Sequence, residues 1–162
     1  LALFEISLRN GIHGRLQEYF QDNYWFNHLP PDFHPFIKNA EQKVILQQKT
    51  ITPDRIVAEL NFGFGNRLFN KRCAKLLWKP LRTIFKNMPK LLRKRDYIEE
   101  SLFRIRRFRN RIYHYEPIFG NKTKINNLYR EIQNMIQWLD EELMEIIRPI
   151  NRYEEIVNAY FK

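Results

Sequence analysis

The chain has 162 residues, enough for one domain with its own core, and an aromatic content of 15% excludes a disordered tail despite 28% charged residues. A formal net charge of +10 at pH 7 calls for a polyanionic partner, either nucleic acid, an anionic membrane surface or an acidic protein. Cys73 is the only cysteine, which excludes an intrachain disulfide framework and a cysteine-based zinc site and fits a reducing, cytoplasmic setting; no apolar run approaches the ~20 residues of a membrane span.

From the start of the chain, Leu1, Phe4, Leu8, Ile12, Leu16 and Tyr19 recur at three- and four-residue steps, which predicts an amphipathic helix over residues 1–20. The pattern is already under way at Leu1, so a native N-terminal segment is expected upstream. Asn27 to Pro35 holds three prolines and two histidines and reads as a loop, and Phe36 to Lys49 returns to helix-compatible residues. Thr52-Pro53-Asp54 combines a capping hydroxyl, a proline at the first helical position and an acid in the first turn. The helix it starts is expected to run through Ile56, Leu60 and Phe64, loosened near Gly63 and Gly65 so that a neighbour can approach.

Further helices are expected over 71–87 with an interruption at Pro80, over 96–113 and over 124–147. Arg148-Pro149 breaks the last of these, and Tyr153 to Phe161 forms a short closing helix. No run alternates with period two, and no repeat spans a supersecondary unit. The chain reads as a single all-α domain over 1–162, an irregular helical bundle.

Within the 96–113 helix, Ile98, Leu102, Ile105 and Ile112 define one apolar stripe, and Arg109 projects into it. Arg104, Arg107 and Arg111 fall on the opposite side. A guanidinium cannot shed its charge, so Arg109 requires an anion, and two readings stand open: a buried ion pair joining two helices, or a cation facing a ligand's charge. His114 follows where Glu116-Pro117 must end the helix. A histidine there ordinarily complements the helix dipole, but a proton shuttle beside permanent positive charge is also what phosphodiester cleavage needs. Five residues of ideal helix rotate by roughly 140°, so Arg109 and His114 do not share a face. Either the helix unwinds near Tyr113 or a second subunit intervenes; Arg107, seven residues before His114, is the rival arginine.

The first helix carries Glu5, Arg9, Asn10 and His13. Glu5 and Arg9 are four apart and can pair, and a structural ion pair is favoured there over a direct catalytic role. His28 and His34 lie in the proline-rich loop, without the carboxylate spacing of a metal site.

The segment Leu102-Phe103-Arg104-Ile105-Arg106-Arg107-Phe108-Arg109-Asn110-Arg111-Ile112-Tyr113-His114-Tyr115-Glu116-Pro117-Ile118 resembles the Abi-like (abortive infection) proteins of the HEPN superfamily. Further matches in the same order are Leu8-Arg9-Asn10-Gly11-Ile12-His13, Ile56-Val57-Ala58-Glu59-Leu60-Asn61-Phe62-Gly63-Phe64, and Leu77-Trp78. The resemblance implies a HEPN bundle and a toxin-like, antiviral endoribonuclease that uses no metal or cofactor and is formed at a homodimer cleft. In it Arg109, Asn110 and His114 would be catalytic, with the RNA's own 2'-hydroxyl attacking the adjacent phosphate. Arg104, Arg107 and Arg111 would then contact RNA, and Glu5, Arg9 and His13 would stand behind the site. A cognate antitoxin or non-coding RNA would be a further partner. The competing expectation is a non-catalytic RNA-binding or protein-interaction module that uses its basic face only for docking.

Overall fold

Four side chains one helical turn apart, Phe4, Leu8, Ile12 and Leu16, are each no more than 3% exposed, and they form the seam around which the other elements pack. The computed structural model describes residues 1–118 and 120–161. Helix α1 (Ala2–Phe20) is followed by two 3-10 turns (Trp25–His28 and Pro31–Phe33), α2 (His34–Leu46), α3 (Pro53–Glu59) and α4 (Phe62–Arg67). A 3-10 turn at Lys71–Cys73 leads into α5 (Ala74–Leu81), then α6 (Arg95–Tyr113), α7 (Lys122–Leu139), α8 (Glu141–Ile147), a 3-10 turn at Arg148–Ile150 and α9 (Tyr153–Tyr160). α1 packs against α3, α4, α5 and α7, while α6 lies on α4 and α7. Among the described residues there is no strand, and no helix is long and apolar enough to cross a membrane. The fold is an irregular all-α bundle.

Two of the expected helices are each divided in the structure, and a capping side chain makes both divisions. The helix begun at Pro53 ends at Glu59, Leu60 turns extended, and Asn61 caps α4 by accepting the Phe64 N–H at 2.9 Å. The glycines do not cause this break. Neither has a positive φ, and both lie inside α4. Gly63 matters instead for approach: a Cβ there would stand 3.1 Å from Asn61 Oδ1 and 3.2 Å from Arg106 Nη1. The expected 124–147 helix likewise stops at Leu139, because Asp140 adopts extended backbone and accepts the N–H groups of Glu142 and Leu143. An aspartate able to satisfy the orphan donors of a new first turn competes with continuing the old helix. The expected 71–87 helix ends earlier, at Leu81, with buried Pro80 in its last turn and single turns following.

Cys73 sits in the core at 1% exposure. Burial, reinforced by the negative charges of Asp32 and Glu99, pushes its thiol up to about 11, so almost none of it is thiolate at neutral pH. The native protein is expected to resist alkylation and to be labelled only on unfolding. Timed reaction with a thiol reagent in the absence and presence of denaturant checks this, and fast native labelling would contradict it.

Candidate functional site

Helix α6 ends in a Schellman motif. Tyr115 N–H bonds Ile112 O at 3.1 Å and Glu116 N–H bonds Arg111 O at 2.9 Å, with His114 as the cap and Tyr115 at φ 54°. Glycine is the usual occupant of that left-handed position, and a tyrosine there costs about 1–2 kcal/mol. The helix therefore ends at Tyr113, but no hydrogen bond joins Arg109 to His114 among the described residues. His114 is exposed, its backbone N–H donates to Asn110 O at 2.9 Å, and its ring makes no hydrogen bond among the described residues. Asn110 is also exposed, and around the helix end lie exposed Tyr113 and Tyr115, the latter 95% accessible.

Arg109 is held from two sides. Its Nε donates to Glu5 Oε2 on α1 at 3.2 Å, and its guanidinium carbon lies 4.0 Å from the centre of the Tyr113 ring. The side chain is 27% exposed, and its two terminal nitrogens carry no hydrogen bond among the described residues. The ion pair between two helices is thus present, and it joins α1 to α6. The expected apolar stripe is shorter than its pattern. Ile98, Leu102 and Ile105 are fully buried, but Ile112 is 38% exposed, since the last turns of α6 project beyond the core. Arg109 marks that rim rather than the middle of a buried face.

The other arginines of α6 differ in how far they are already engaged. Arg104 is clamped by Glu131 of α7, with Nε 3.0 Å from Oε2, and also approaches Glu100 at 3.5 Å. Its hydrogen bond to Glu131 raises it above the ordinary guanidinium value. Arg111 pairs with Glu116 at 3.3 Å and donates to Pro117 O. Arg107 is exposed and pairs with no carboxylate among the described residues; the ring of Phe103 lies 5.9 Å away. Of the cations predicted to meet RNA, only Arg107 is free.

The group on α1 is assembled across the fold rather than along the helix. Glu5 turns away from an i,i+4 pair: Oε2 takes Arg109 and Oε1 accepts the Phe62 N–H at 3.1 Å, completing the start of α4. Arg9 instead donates to Ala58 O at 2.7 Å. His13 Nδ1 accepts the indole N–H of Trp25 at 2.9 Å while Nε2 stands 3.0 Å from Asp54 Oδ1, a pairing that places the imidazole proton on Nε2. Sequence blocks around residues 5–13 and 54–64 thereby meet, but only Glu5 touches Arg109, and none of the three bonds His114. His28 pairs with Asp22 and stacks on Phe20, an ordinary turn contact. No cluster of three or more His, Cys, Asp or Glu suited to a metal occurs among the described residues.

Trp25 is 1% exposed, so its N–H has no alternative partner in water. His13→Ala is expected to lower stability by about 1–3 kcal/mol, the cost of stranding a buried donor. Denaturant unfolding followed by tryptophan emission measures this, and an unchanged midpoint would refute it.

Comparison with family models, curated proteins and solved structures finds no match to this chain.

Proposed function

We propose that the protein is a metal-independent endoribonuclease of the Abi-like HEPN kind, acting at the end of α6. As the RNA 2'-oxygen bonds phosphorus and the P–O5' bond breaks, His114 takes the 2'-hydroxyl proton and the departing 5'-oxygen is protonated in turn, while Arg109 holds the charge that grows on the phosphoryl oxygens. The observation that supports this reading is the state of those two groups: an exposed imidazole with an unengaged ring, close in sequence to a guanidinium fixed through Nε with its terminal nitrogens unbonded. Glu5 then serves as a positioning residue, and Asn110 and the unpaired Arg107 lie on the same exposed helix end. The cleft would form between two protomers, the cellular role would be that of a toxin in antiviral defence, and a cognate antitoxin or non-coding RNA would be its regulator.

The test uses labelled RNA, purified protein and EDTA. Products ending in a 2',3'-cyclic phosphate and a 5'-hydroxyl are expected, with a 2'-deoxy sugar at the scissile position resisting cleavage. Intact RNA that is retained in a salt-sensitive manner favours a second reading, a non-catalytic RNA-binding or protein-interaction module. One observation speaks for that module: Glu5 already neutralises Arg109 as an interhelical tie.

A further inference from the structure

The positive charge of the chain is concentrated in one segment. Between Leu60 and Arg95 there are 11 Lys and Arg and no Asp or Glu; removing them from the 28 in the chain leaves 17, against 18 acidic residues. The rest of the molecule is therefore close to neutral, and its net charge of +10 resides on α5 and its flanks.

Not all of these cations are available. Arg93 donates to Lys86 O and Met88 O, Arg95 bonds Phe69 O and pairs with Asp96 and Glu99, and Arg67 lies over the Phe36 ring. Lys86 lines a groove it shares with Asp140, Glu141 and Glu142. Of the cations that remain, Lys90 and Lys94 are exposed between α5 and α6, while Lys71, Lys75, Lys79 and Arg82 belong to α5 and its ends; these four are all exposed, and none has a carboxylate within 4.0 Å or a side-chain hydrogen bond among the described residues. At 3.6 residues per turn, Lys75, Lys79 and Arg82 occupy an arc of roughly 60°, and Lys71 lies in the 3-10 turn that leads into the helix. Buried Leu77 and Leu81 lie opposite and seat α5 in the core. Arg72 flanks the row.

We propose that this face of α5 is an RNA-docking surface that grips the phosphate backbone without reading base sequence. It takes RNA as ligand from the reading above and adds where the strand is held. The free charge argues for α5 over α6, whose Arg104, Arg109 and Arg111 are already paired with Glu131, Glu5 and Glu116. The face carries no exposed large apolar side chain; the nearest, Leu91 and Leu92, lie beyond it in the following loop. A bilayer-binding helix needs an apolar side to insert beside its charges, whereas a phosphate backbone needs only the cations.

The experiment is performed in a His114→Ala background, so that cleavage cannot consume the probe. Lys75→Gln, Lys79→Gln and Arg82→Gln are combined, and binding to a labelled single-stranded RNA of mixed sequence is titrated at several KCl concentrations. Affinity is expected to fall about tenfold or more, equally for unrelated sequences, and the slope of log K against log salt is expected to become shallower by about two. A variant with Lys75→Arg and Lys79→Arg should bind as the parent does, which separates charge loss from misfolding. An unchanged slope in the Gln variant overturns the proposal. So does transfer of the whole loss to a variant with Arg104, Arg107 and Arg111 changed to Gln, or loss of binding to anionic lipid vesicles with RNA binding intact. Wild-type protein that binds through α5 yet leaves RNA uncut refutes the nuclease reading and supports the docking surface.

Discussion

His114→Ala is expected to slow RNA cleavage by roughly 10²–10⁴-fold, the range supplied by one positioned proton-transfer group, without changing the fold. The imidazole lies on the surface at the end of α6 and makes no hydrogen bond among the described residues, so truncation strands no buried group. The cap itself is built from backbone, through the bonds of Tyr115 and Glu116 to Ile112 and Arg111, and these survive. Truncating an exposed side chain with no bonded partner costs about 0.5 kcal/mol or less. Single-turnover cleavage of a labelled RNA and a thermal melt on the same preparation measure the two quantities. Equal rates for wild type and variant would end the proposed mechanism, and a collapsed melting temperature would show that His114 is structural.

Glu5→Ala is expected to lower stability by about 2–3 kcal/mol, which for a domain of this size moves the midpoint by roughly 5–10 °C. Two losses coincide there. Arg109 keeps its charge at only 27% exposure with no counterion, and the Phe62 N–H at the start of α4 loses its acceptor. Glu5→Gln should cost less, because an amide oxygen can still accept from Phe62. Adding Arg109→Met to Glu5→Ala should recover part of the loss, since it removes the unpaired charge. Denaturant melts of the four proteins form the test. A Glu5→Ala midpoint within error of wild type would show that the pair ties nothing together. Cleavage should also fall in Glu5→Ala, since the guanidinium would no longer be held through Nε.

The parts of the fold legible in the sequence are those governed by neighbours within a few residues. The burial of Phe4, Leu8, Ile12 and Leu16, the proline start at Pro53, and the extents of α1, α6 and α9 all follow from 3.6-residue periodicity and local caps. The two divisions missed, at Asn61 and Asp140, had local signals as well, an Asx residue ahead of an acidic or aromatic first turn. Apolar periodicity on both sides of each residue masked them, because a stripe constrains which face is buried and not whether the helix is continuous.

The candidate site divides along the same line. An arginine at an apolar position of α6 is visible as an anomaly from residues 98–112 alone. Its partner Glu5 is 104 residues away, and the apparent i,i+4 match to Arg9 gives way because Glu5 meets a backbone donor at Phe62 and a guanidinium at Arg109. The charge of the 60–95 segment is likewise written in its composition, whereas which cations remain free is not. Sequence by itself therefore determined the all-α class, the helical faces and the concentration of positive charge. Tertiary structure alone decided which charges are consumed as ties between helices and which face outward, because an ion pair depends on distances of a few ångströms between elements that periodicity leaves unconstrained.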